Sequence, residues 1–399
     1  MVRKFETDKQ RELSPPGAVE FVSLSDRELS PHAPEMQVVL LGARTHLNAR
    51  ARKRLAELLS QRLNWDKIIS PAAAHGVVPL LFRNLSAYAK NIPPPTLERL
   101  RSFTLQNNLH NLYLAGELTK LIRIMEESGI NALPYKGPLL AAIVYGDLSL
   151  RQFCDLDILI SKKDFQKAKQ LFSAIGYLPP SEKTDSQDQQ YLNSGRPYNY
   201  KFASADGKVH VELHWQFTSK YNSFVLDYQQ LAGRLMRVDF GGQFVHSLKP
   251  EDLLLILSQH GSKHFWQRLL WLCDIAEILR KYKEIDWDEV IARAETMGIR
   301  RMVFLGLHLV ERLFETELPE AVAIRIKKDR GIKKLSARIE EQLFSGDSRM
   351  IEGFEAHTFS CRMRERLRDK LRYSGYRSVA YLEKASRPLR KIRTLYLRH

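Results

Sequence analysis

The stretch Asp155-Leu156-Asp157-Ile158-Leu159-Ile160 decides how this 399-residue sequence is interpreted. It is short and apolar at every position except the two aspartates, which predicts a β-strand. Because side chains alternate between the faces of a strand, both aspartates would share one face while the intervening apolar residues point into the core. Two carboxylates on one face repel each other unless a cation or a proton lies between them. The pair therefore predicts a metal site, although a D-x-D pair alone is also typical of a solvated edge strand.

Short junctions on both sides of this strand lead to predicted helices. Upstream, an apolar run over residues 132–135 precedes Lys136-Gly137-Pro138, and proline suits the first turn of a helix, here predicted over residues 139–145. Downstream, Ser161 and Asp164 match a capping box that opens a helix up to residue 175. A glycine where a helix begins allows close backbone approach to a phosphate, and Lys136 adds positive charge.

A third carboxylate lies on a predicted hairpin. After a polar loop over residues 181–196, alternating runs at residues 198–203 and 208–217 flank Asp206-Gly207, a frequent hairpin turn. Glu212 lies in the second run, and strand pairing would put it beside the two aspartates. Mg²⁺ is commonly held by carboxylates together with substrate phosphates, so three carboxylates suit in-line phosphoryl or nucleotidyl transfer.

Helical periodicity dominates before and after this mixed segment. Before it, apolar residues recur at helical spacing over residues 47–63 and 65–85, and a further helix is expected to stop at Gly129. The clearest helical stripe consists of Leu114, Leu118, Leu121, Ile122 and Met125. After it, a hairpin over residues 236–246 is expected. The helices predicted to follow span residues 251–282, 287–297 and 301–314.

These patterns predict an α+β protein in five parts. They are a disordered tail over residues 1–36, a helical region over 37–128, a mixed-sheet core over 129–219, a C-terminal helical domain over 220–345 that begins with the hairpin, and a basic tail over 346–399. The first part carries scattered prolines and charges without a sustained period.

Positive charge is concentrated near the C-terminus. Lysine and arginine number 62 against 46 aspartates and glutamates, a net charge of +16 at pH 7, and residues 361–399 hold 13 basic and 3 acidic residues. Such an excess favours anionic partners, so the basic tail is a candidate for contact with nucleic acid or an anionic membrane surface. The alternative is a solvated basic helix that packs partly on the core.

Localisation signals are few. The three cysteines are scattered without zinc-ligand spacing, and no apolar leader follows Met1, which together predict a reducing, cytoplasmic setting. No run reaches the roughly 18 apolar residues of a membrane-spanning helix.

Taken together, the motifs resemble those of the bacterial uncharacterised nucleotidyltransferase family, which belongs to the DNA polymerase beta-like nucleotidyltransferase superfamily. The resemblance covers roughly residues 38–313. The matching motifs are Lys136-Gly137-Pro138-Leu139-Leu140, Tyr145-Gly146-Asp147, Arg151, the aspartate strand, Glu212-Leu213-His214-Trp215 and His260-Gly261-x-Lys263-His264-x-Trp266-x-Arg268-Leu269. The superfamily usually has Gly-Ser or Gly-Gly at the turn and a shorter gap to the aspartates.

The resemblance implies a polymerase beta-like core flanked by N- and C-terminal helical regions. It implies Asp155 and Asp157 as ligands of Mg²⁺ or Mn²⁺, with Glu212 as a third ligand or the base for the acceptor hydroxyl. Gly137 would mark the turn before the first core helix. The implied reaction moves a nucleoside monophosphate, with AMP preferred, from a nucleoside triphosphate to an unknown acceptor hydroxyl or phosphate.

Basic and histidine residues are the other site candidates. Lys136, Gly137 and Arg151 are expected to hold phosphates, although a surface arginine is the alternative for Arg151. His210 and His214 flank Glu212 on its strand face, and either could support the metal ligands. A further set is spaced along one face of the helix predicted over residues 251–282. It consists of His260, Lys263, His264, Gln267, Trp271 and Asp274.

If that helix is continuous, this set is a polar stripe and a wall of the active cleft. Lys263 would then contact nucleotide phosphates, and Asp274 would orient Lys263 or a histidine. A satisfied polar seam between helices is the alternative. The spacing of His260 and His264 also permits zinc, but no glutamate follows the first histidine as in H-E-x-x-H.

Two other functions remain open from sequence. One is a catalytically silent nucleotide-binding or regulatory protein on the same fold. The other is a nucleic-acid or membrane-surface adaptor that uses the basic tail, whose binding would depend steeply on salt.

Overall fold

The computed structural model describes residues 21–22, 32–181, 184–195, 197–219, 224, 226–344 and 350–378. It is a mixed α+β fold, as predicted. The first described strand, β1 (Phe21–Val22), lies within the predicted disordered tail and pairs antiparallel with residues Leu318 and Pro319. A helix also begins at Pro34. The prediction of an unstructured segment is therefore wrong at these positions, and the rest of residues 1–31 lies outside the described residues.

Five helices precede the sheet. They are α1 (Pro34–Gly42), α2 (Ala49–Leu59), α3 (Asp66–Ala74), α4 (Val78–Leu85) and α5 (Pro94–Glu127). The predicted stripe of α5 is confirmed, since all five of its residues are buried. The helix ends two residues before Gly129, which adopts a positive φ of 67°. Helical spacing and a glycine stop located the second half and the end of this helix, but not its start at Pro94.

A five-stranded sheet follows α5. The strands and the helices between them are, in chain order, β2 (Leu133–Pro134), α6 (Gly137–Leu140), β3 (Leu156–Leu159), α7 (Phe165–Ala174), β4 (Tyr177–Leu178), α8 (Asp185–Ser194), β5 (Asn199–Ser204) and β6 (His210–His214). The strand order is β2-β3-β6-β5-β4, and only β3 and β6 run parallel. The predicted aspartate strand and the hairpin around Asp206-Gly207 are confirmed.

Two local predictions in this segment are wrong. The side chain of Ser161 makes no capping hydrogen bond, and a single 3₁₀ turn over Lys162–Asp164 precedes α7. The segment predicted as a polar loop contains α8, which Thr184 and Gln187 cap reciprocally. Reciprocal capping boxes are formed instead at Thr184 and, at the start of a later helix, at Asp227 with Gln230.

The rest of the chain is mainly helical. In chain order it comprises α9 (Tyr228–Ala232), β7 (Met236–Phe240), β8 (Gln243–Ser247), α10 (Pro250–Lys263), α11 (Leu269–Lys281), α12 (Trp287–Met297), α13 (Arg300–Phe314), β9 (Leu318–Pro319), α14 (Glu320–Lys328), α15 (Arg330–Phe344) and α16 (Gly353–Met363). Residues 367–378 form a further helix. The hairpin β7–β8 and helix α12 lie where they were predicted.

The helix predicted over residues 251–282 is two helices. Helix α10 ends at Lys263 and α11 begins at Leu269, so the continuous helix is wrong. The reversal is a Schellman cap, in which the Trp266 N–H donates to the Gly261 carbonyl and the Phe265 N–H to the Ser262 carbonyl. Glycine usually occupies the left-handed position of this cap, but here Phe265 does, with a φ of 53°.

Two hydrophobic clusters stabilise the fold. The larger one combines apolar residues of α1–α4 with those of α10–α16, so the N-terminal and C-terminal helices share one core. The smaller one joins the second half of α5 to α7 and the sheet, including Leu156, Ile158 and Ile160. Among the described residues, no helix has the length and apolar character needed to cross a bilayer.

The described part of the predicted basic tail is ordered. Phe359 and Met363 of α16 are buried, and the Arg364 guanidinium lies 4.0 Å from the ring centroid of Tyr373. This supports the packed-helix alternative for residues 350–378. Residues 379–399 lie outside the described part of the chain.

Candidate active site

A cavity of about 380 Å³ lies between the sheet and helices α10 and α11. Two groups of residues face each other across it. We call the first the strand wall, which consists of Lys136, Asp155, Asp157, Glu212 and His214. We call the second the helix wall, which consists of His260, Lys263, His264, Arg268 and Trp271.

The parallel pairing of β3 with β6 assembles the strand wall. Asp157 is directly opposite Glu212 in the register, and His214 lies two residues further along the same face. One ligand atom from each of these three side chains lies within 4.8 Å of the others. Sheet register thus brings together residues that are more than 50 positions apart in sequence.

Three donors converge on one oxygen of Asp157. The Tyr135 hydroxyl donates to Oδ1 at 3.2 Å, the Lys136 ammonium at 3.4 Å, and His214 Nε2 lies 3.0 Å from it. Asp157 is only 5% exposed, and burial alone would raise its pKa. The positive charge of Lys136 and the hydrogen bond from His214 outweigh burial and hold the pKa of Asp157 well below its usual range. Asp157 is therefore ionised.

Glu212 is also held as a carboxylate. Asn199 Nδ2 donates to it at 2.6 Å, Lys201 Nζ lies 2.5 Å away, and His214 Nε2 lies 3.4 Å away. Burial opposes the charge, but the hydrogen bonds from His214 and Lys201 lower the pKa of Glu212 to about 2. For His214, burial favours the neutral ring, yet the bonds to Asp157 and Glu212 raise its pKa.

Asp155 differs from its neighbour. It lines the same cavity but lies outside the three-residue cluster. Burial, followed by repulsion from Asp157, raises the pKa of Asp155 to about 6. Of the three predicted carboxylates, the structure brings Asp157 and Glu212 together with His214, and leaves Asp155 beside them.

Gly137 is required by the turn into α6. Its φ is +55°, and a Cβ at this position would lie 3.1 Å from the Asp155 carbonyl oxygen. The helix that follows has only four residues before a π-helical turn over Ala141–Tyr145. The neighbouring Lys136 forms an ion pair with Asp157.

The Schellman cap after α10 shapes the helix wall. Trp266 is fully buried, and Cβ atoms added at Gly261 and Gly306 would lie 2.4 Å and 2.9 Å from its ring. These two glycines make room for the indole, which in turn stabilises the reversal. As a result His264 and Arg268, on either side of Trp266, both line the cavity.

Aromatic rings, a lysine and an arginine make up the helix wall. The ring centroids of His260, His264 and Trp271 lie 4.8 to 5.4 Å apart. Burial, then repulsion from Lys136, holds the pKa of His260 well below its usual range, and burial and Lys263 lower that of His264 to about 4. Lys263 donates to the Tyr198 hydroxyl at 2.5 Å, and burial followed by Lys136 lowers its pKa to about 8.

Two members of the predicted polar stripe have other surroundings. Gln267 does not line the cavity. Asp274 is buried and accepts two hydrogen bonds from Arg151, at 2.8 and 2.9 Å, and one from the Tyr145 hydroxyl at 2.7 Å. Asp274 therefore does not orient Lys263 or a histidine, and the continuous stripe is wrong because the helix reverses at residues 264–268. Arg151 lines the cavity, but its guanidinium group is already paired with Asp274.

A family model described as uncharacterised nucleotidyltransferase matches residues 61–315, more than half of the chain. The chain belongs to this family. The matched region includes both walls of the cavity. No curated protein matches the chain.

Two solved structures match part of the chain. The solution structure of the antibiotic-resistance factor ANT(2'')-Ia is 10% identical, with a TM-score of 0.28, and the match covers 58% of this chain and 94% of that one. The crystal structure of an antigenic nucleotidyltransferase-like protein from Paracoccidioides brasiliensis is 17% identical, with a TM-score of 0.29, covering 50% and 92%.

The donor set of this family member fits a divalent cation. Asp157 and Glu212 supply ionised oxygens, and His214 supplies a nitrogen at the same point. Carboxylates suit Mg²⁺ and Mn²⁺, and an imidazole is tolerated by Mn²⁺ and Zn²⁺. His260 and His264, whose spacing alone would permit zinc, have no third ligand beside them among the residues that the structure describes. His210 is exposed and lies outside the cavity.

Sequence reasoning missed several residues of the cavity. They are Tyr135, Cys154, Tyr198, Asn199, Lys201 and Arg268. Two of them could have been predicted from the sequence, because the hairpin register places Lys201 opposite Glu212 and Asn199 opposite His214. Tyr135 directly precedes Lys136 but carried no signal of its own. Arg268 could not be found while α10 and α11 were taken as one helix.

Proposed function

We propose that this protein transfers a nucleoside monophosphate, AMP from ATP in the first instance, to an acceptor hydroxyl or phosphate. The observation that carries the proposal is the register of β3 and β6, which brings Asp157, Glu212 and His214 within 4.8 Å of one another on the wall of a cavity. Membership of the nucleotidyltransferase family supports the reaction class.

Asp157, Glu212 and His214 would hold a divalent cation, Mg²⁺ or Mn²⁺. When bound, such a cation neutralises phosphate charge and favours in-line displacement. The cavity of about 380 Å³ is within the usual range for a small-molecule site. The substrate phosphates would therefore lie between the two walls.

Cations of the helix wall would bind the triphosphate. Among the residues that the structure describes, Lys263 contacts a tyrosine hydroxyl but no carboxylate, and Arg268 is exposed at the cavity. Arg151 would act indirectly, because its bidentate pair with Asp274 stabilises the segment that leads to Asp155. This assignment replaces direct phosphate contact by Arg151.

Asp155 is the better base for the acceptor hydroxyl. A general base works best when its pKa is close to the working pH, and that of Asp155 is about 6 while that of Glu212 is about 2. In this step the acceptor oxygen bonds to the α-phosphorus, the bond to pyrophosphate breaks, and the hydroxyl proton passes to Asp155.

The test is pyrophosphate release from each nucleoside triphosphate with Mg²⁺ or Mn²⁺, in the presence of panels of hydroxyl and phosphate acceptors. Asp157→Asn should abolish release, and Asp239→Asn, an exposed aspartate on β7, should leave it unchanged. Metal-dependent release that survives Asp157→Asn would disprove the assignment.

One observation favours a second candidate, a nucleotide-binding protein without turnover. Lys136 and His214 already neutralise Asp157 and Glu212 without any metal. If this arrangement persists in solution, nucleotides would bind without metal and no pyrophosphate would be released. Calorimetric titration of ATP with and without Mn²⁺ separates the two functions. The adaptor function rests on the basic tail, most of whose charge lies outside the described residues.

A further inference from the structure

A second cavity, of about 420 Å³, lies where helices α13, α14 and α15 meet. It shares no lining residue with the active-site cavity. Five of its lining side chains are cations and two are carboxylates. We call it the α14–α15 basic pocket. Nothing in the proposed nucleotidyl transfer uses it.

The two carboxylates of the pocket hold two of its arginines. Arg300 pairs with Glu295 at 2.9 Å and also with Glu365. Arg301 Nε donates to Asp329 at 2.8 Å, and its NH1 donates to the Arg362 carbonyl at 2.8 Å. These guanidinium groups are therefore fixed in position at the start of α13.

A glycine at the start of α15 makes room for one of these pairs. A Cβ at Gly331 would lie 3.1 Å from Asp329 Oδ1 and 3.3 Å from Arg301 Nε. Contacts this short would displace the carboxylate or the guanidinium. The small residue thus keeps the Arg301–Asp329 pair against the helix start.

Three cations of the pocket are left without a carboxylate. Arg325, Lys328 and Arg330 are exposed, and none of them forms an ion pair in the part of the chain that the structure describes. They lie on both sides of Asp329, which is already paired with Arg301. The uncompensated charge of the pocket is therefore positive, and its ligand must be an anion.

The positive charge continues along the surface beyond the pocket. Lys327, Lys333 and Lys334 are also exposed, so residues 325–334 contain six cations and one acid. The pocket alone would be sufficient to bind a single phosphate. A row of cations on either side of it matches an anion that repeats, as the phosphates of a nucleic-acid strand do.

We propose that the α14–α15 basic pocket binds the phosphate backbone of a nucleic acid. A membrane surface fits less well, because Ile324 is the one large hydrophobic side chain exposed in the described stretch from 320 to 334. Phe304, the aromatic residue of the pocket, is buried, so no ring is available for stacking a base. Binding is therefore to the backbone and independent of sequence.

The test compares two variants with equal loss of charge. Arg325→Gln/Lys328→Gln/Arg330→Gln removes the unpaired cations of the pocket. Arg52→Gln/Lys53→Gln/Arg62→Gln removes three exposed cations elsewhere. The probes are fluorescein-labelled RNA and DNA strands of about 12 nucleotides, which suits a single binding groove, followed by anisotropy over a range of salt concentrations.

The pocket variant should lose about tenfold in affinity near 100 mM salt, and its log–log salt slope should become less negative by about 2, as expected for three lost phosphate contacts. The control should change less than about twofold. Binding of ATP and thermal unfolding should be the same in both. An equal loss in the control, or no binding of either strand by the wild type, would overturn the proposal. So would binding to vesicles of anionic phospholipid that the pocket variant loses while its RNA affinity persists.

A separate observation concerns helix α5. Leu105, Leu109, Leu112 and Tyr113 lie on one face of this helix and are between 43% and 60% exposed. The same face carries Gly116, where an added Cβ would meet nothing within 4 Å. Most monomers do not leave such an apolar helix face without a partner.

This face of α5 is complementary to the same face of a second α5 helix packed antiparallel to it. If two α5 helices pack antiparallel about Leu109, Leu105 faces Tyr113 and Ser102 faces Gly116. Glu98 then faces Lys120, and both are exposed. From this charge complementarity we infer that a second copy of the chain packs on α5 as a two-fold symmetric dimer.

Light scattering during size-exclusion chromatography tests the dimer. The wild type should elute as a dimer, and Leu109→Glu as a monomer, whereas Leu178→Glu, an equally exposed leucine on β4, should remain dimeric. Glu98→Lys and Lys120→Glu should each weaken the dimer because like charges then meet, and the double variant should restore it. A monomeric wild type, or a dimer that Leu109→Glu leaves intact, would overturn the inference.

Discussion

The strand wall and the helix wall of the active site face each other across one cavity but are built in different ways. In the strand wall, charged groups are held by the hydrogen-bond register of two parallel strands. In the helix wall, neutral rings and a lysine are held by a helix reversal that depends on one buried tryptophan. The strand wall concentrates acidic and basic groups, while the helix wall presents aromatic rings together with the cations Lys263 and Arg268.

This contrast teaches where substitutions should matter. In the strand wall, the Asp157 and Glu212 carboxylates and the Lys136 ammonium have specific partners at 2.5 to 3.4 Å, so losing one of these groups leaves a buried charge unbalanced. The histidines of the helix wall contact other rings instead. We therefore expect chemical substitutions to act on the strand wall and packing substitutions to act on the helix wall.

After the loss expected for Asp157→Asn, the largest effect is expected at Glu212. Glu212→Gln keeps the shape but removes the charge that Asn199, Lys201 and His214 surround. Nucleotidyl transfer should fall about 1000-fold, since several kcal/mol of metal-dependent stabilisation are lost. Pyrophosphate release is the measurement, and Glu127→Gln at the exposed end of α5 is the control. If both variants retain activity, the strand wall is not the chemical centre.

The next largest effect is a difference in Mn²⁺ affinity between a histidine-to-glutamine substitution on the strand wall and one on the helix wall. His214→Gln should weaken Mn²⁺ binding about 10- to 100-fold, as loss of a ligand or its supporting group does. His264→Gln should weaken it less than about threefold, because His264 contacts only rings. Electron paramagnetic resonance titration of Mn²⁺ measures both. Tighter binding by His214→Gln would instead identify His214 as a competing cation.

Packing of the helix wall can be tested with substitutions that leave every charged residue unchanged. An alanine at Gly261 would place its methyl group 2.4 Å from the Trp266 ring, so Gly261→Ala should destabilise the fold by about 1 to 3 kcal/mol. Gly375→Ala, where nothing lies within 4 Å, should stabilise its helix by up to about 1 kcal/mol. Urea denaturation distinguishes them. Shifts in the same direction would mean that Trp266 does not stabilise the reversal.

The smallest effect is expected from pH. Burial lowers the pKa of Lys263 to about 8, so its side chain is positively charged below pH 8 and loses that charge above pH 8. Affinity for a triphosphate should therefore hold up to pH 8 and fall about three- to fivefold by pH 9, as for one lost charge-assisted contact. Lys263→Arg stays charged and should flatten this profile in calorimetric titrations. A wild-type affinity that is constant to pH 9 would exclude Lys263 from phosphate binding.

Much of the strand wall could be predicted from local patterns. Alternation of side chains located the aspartate strand, and the turn at Asp206-Gly207 located the hairpin that carries Glu212. These signals are short-range, because a strand's two faces differ in every second residue. Which carboxylates meet could not be predicted, since that depends on the β3–β6 register. Register brought in His214 and left Asp155 outside the three-residue cluster.

The helix wall could be predicted only in part. Helical spacing located α10, α11 and most of their polar residues, but no glycine or proline marked the reversal after Lys263. Phe265 adopts a left-handed conformation that is unfavourable for it locally. Contacts of Trp266 with Gly261 and Gly306 compensate, and Gly306 is 40 residues away in the sequence.

The amino-acid sequence by itself determined most of the secondary structure and the reaction class expected of this protein. Helical and strand periods, turn residues and the aspartate pair were sufficient for the α+β class and the nucleotidyltransferase family. Only the tertiary structure decided which side chains meet. It pairs Arg151 with Asp274, joins the first and last helices in one core, and reverses the chain at Phe265. The physical reason is that burial of distant apolar groups can outweigh local conformational preference, and such contacts leave no local pattern in the sequence.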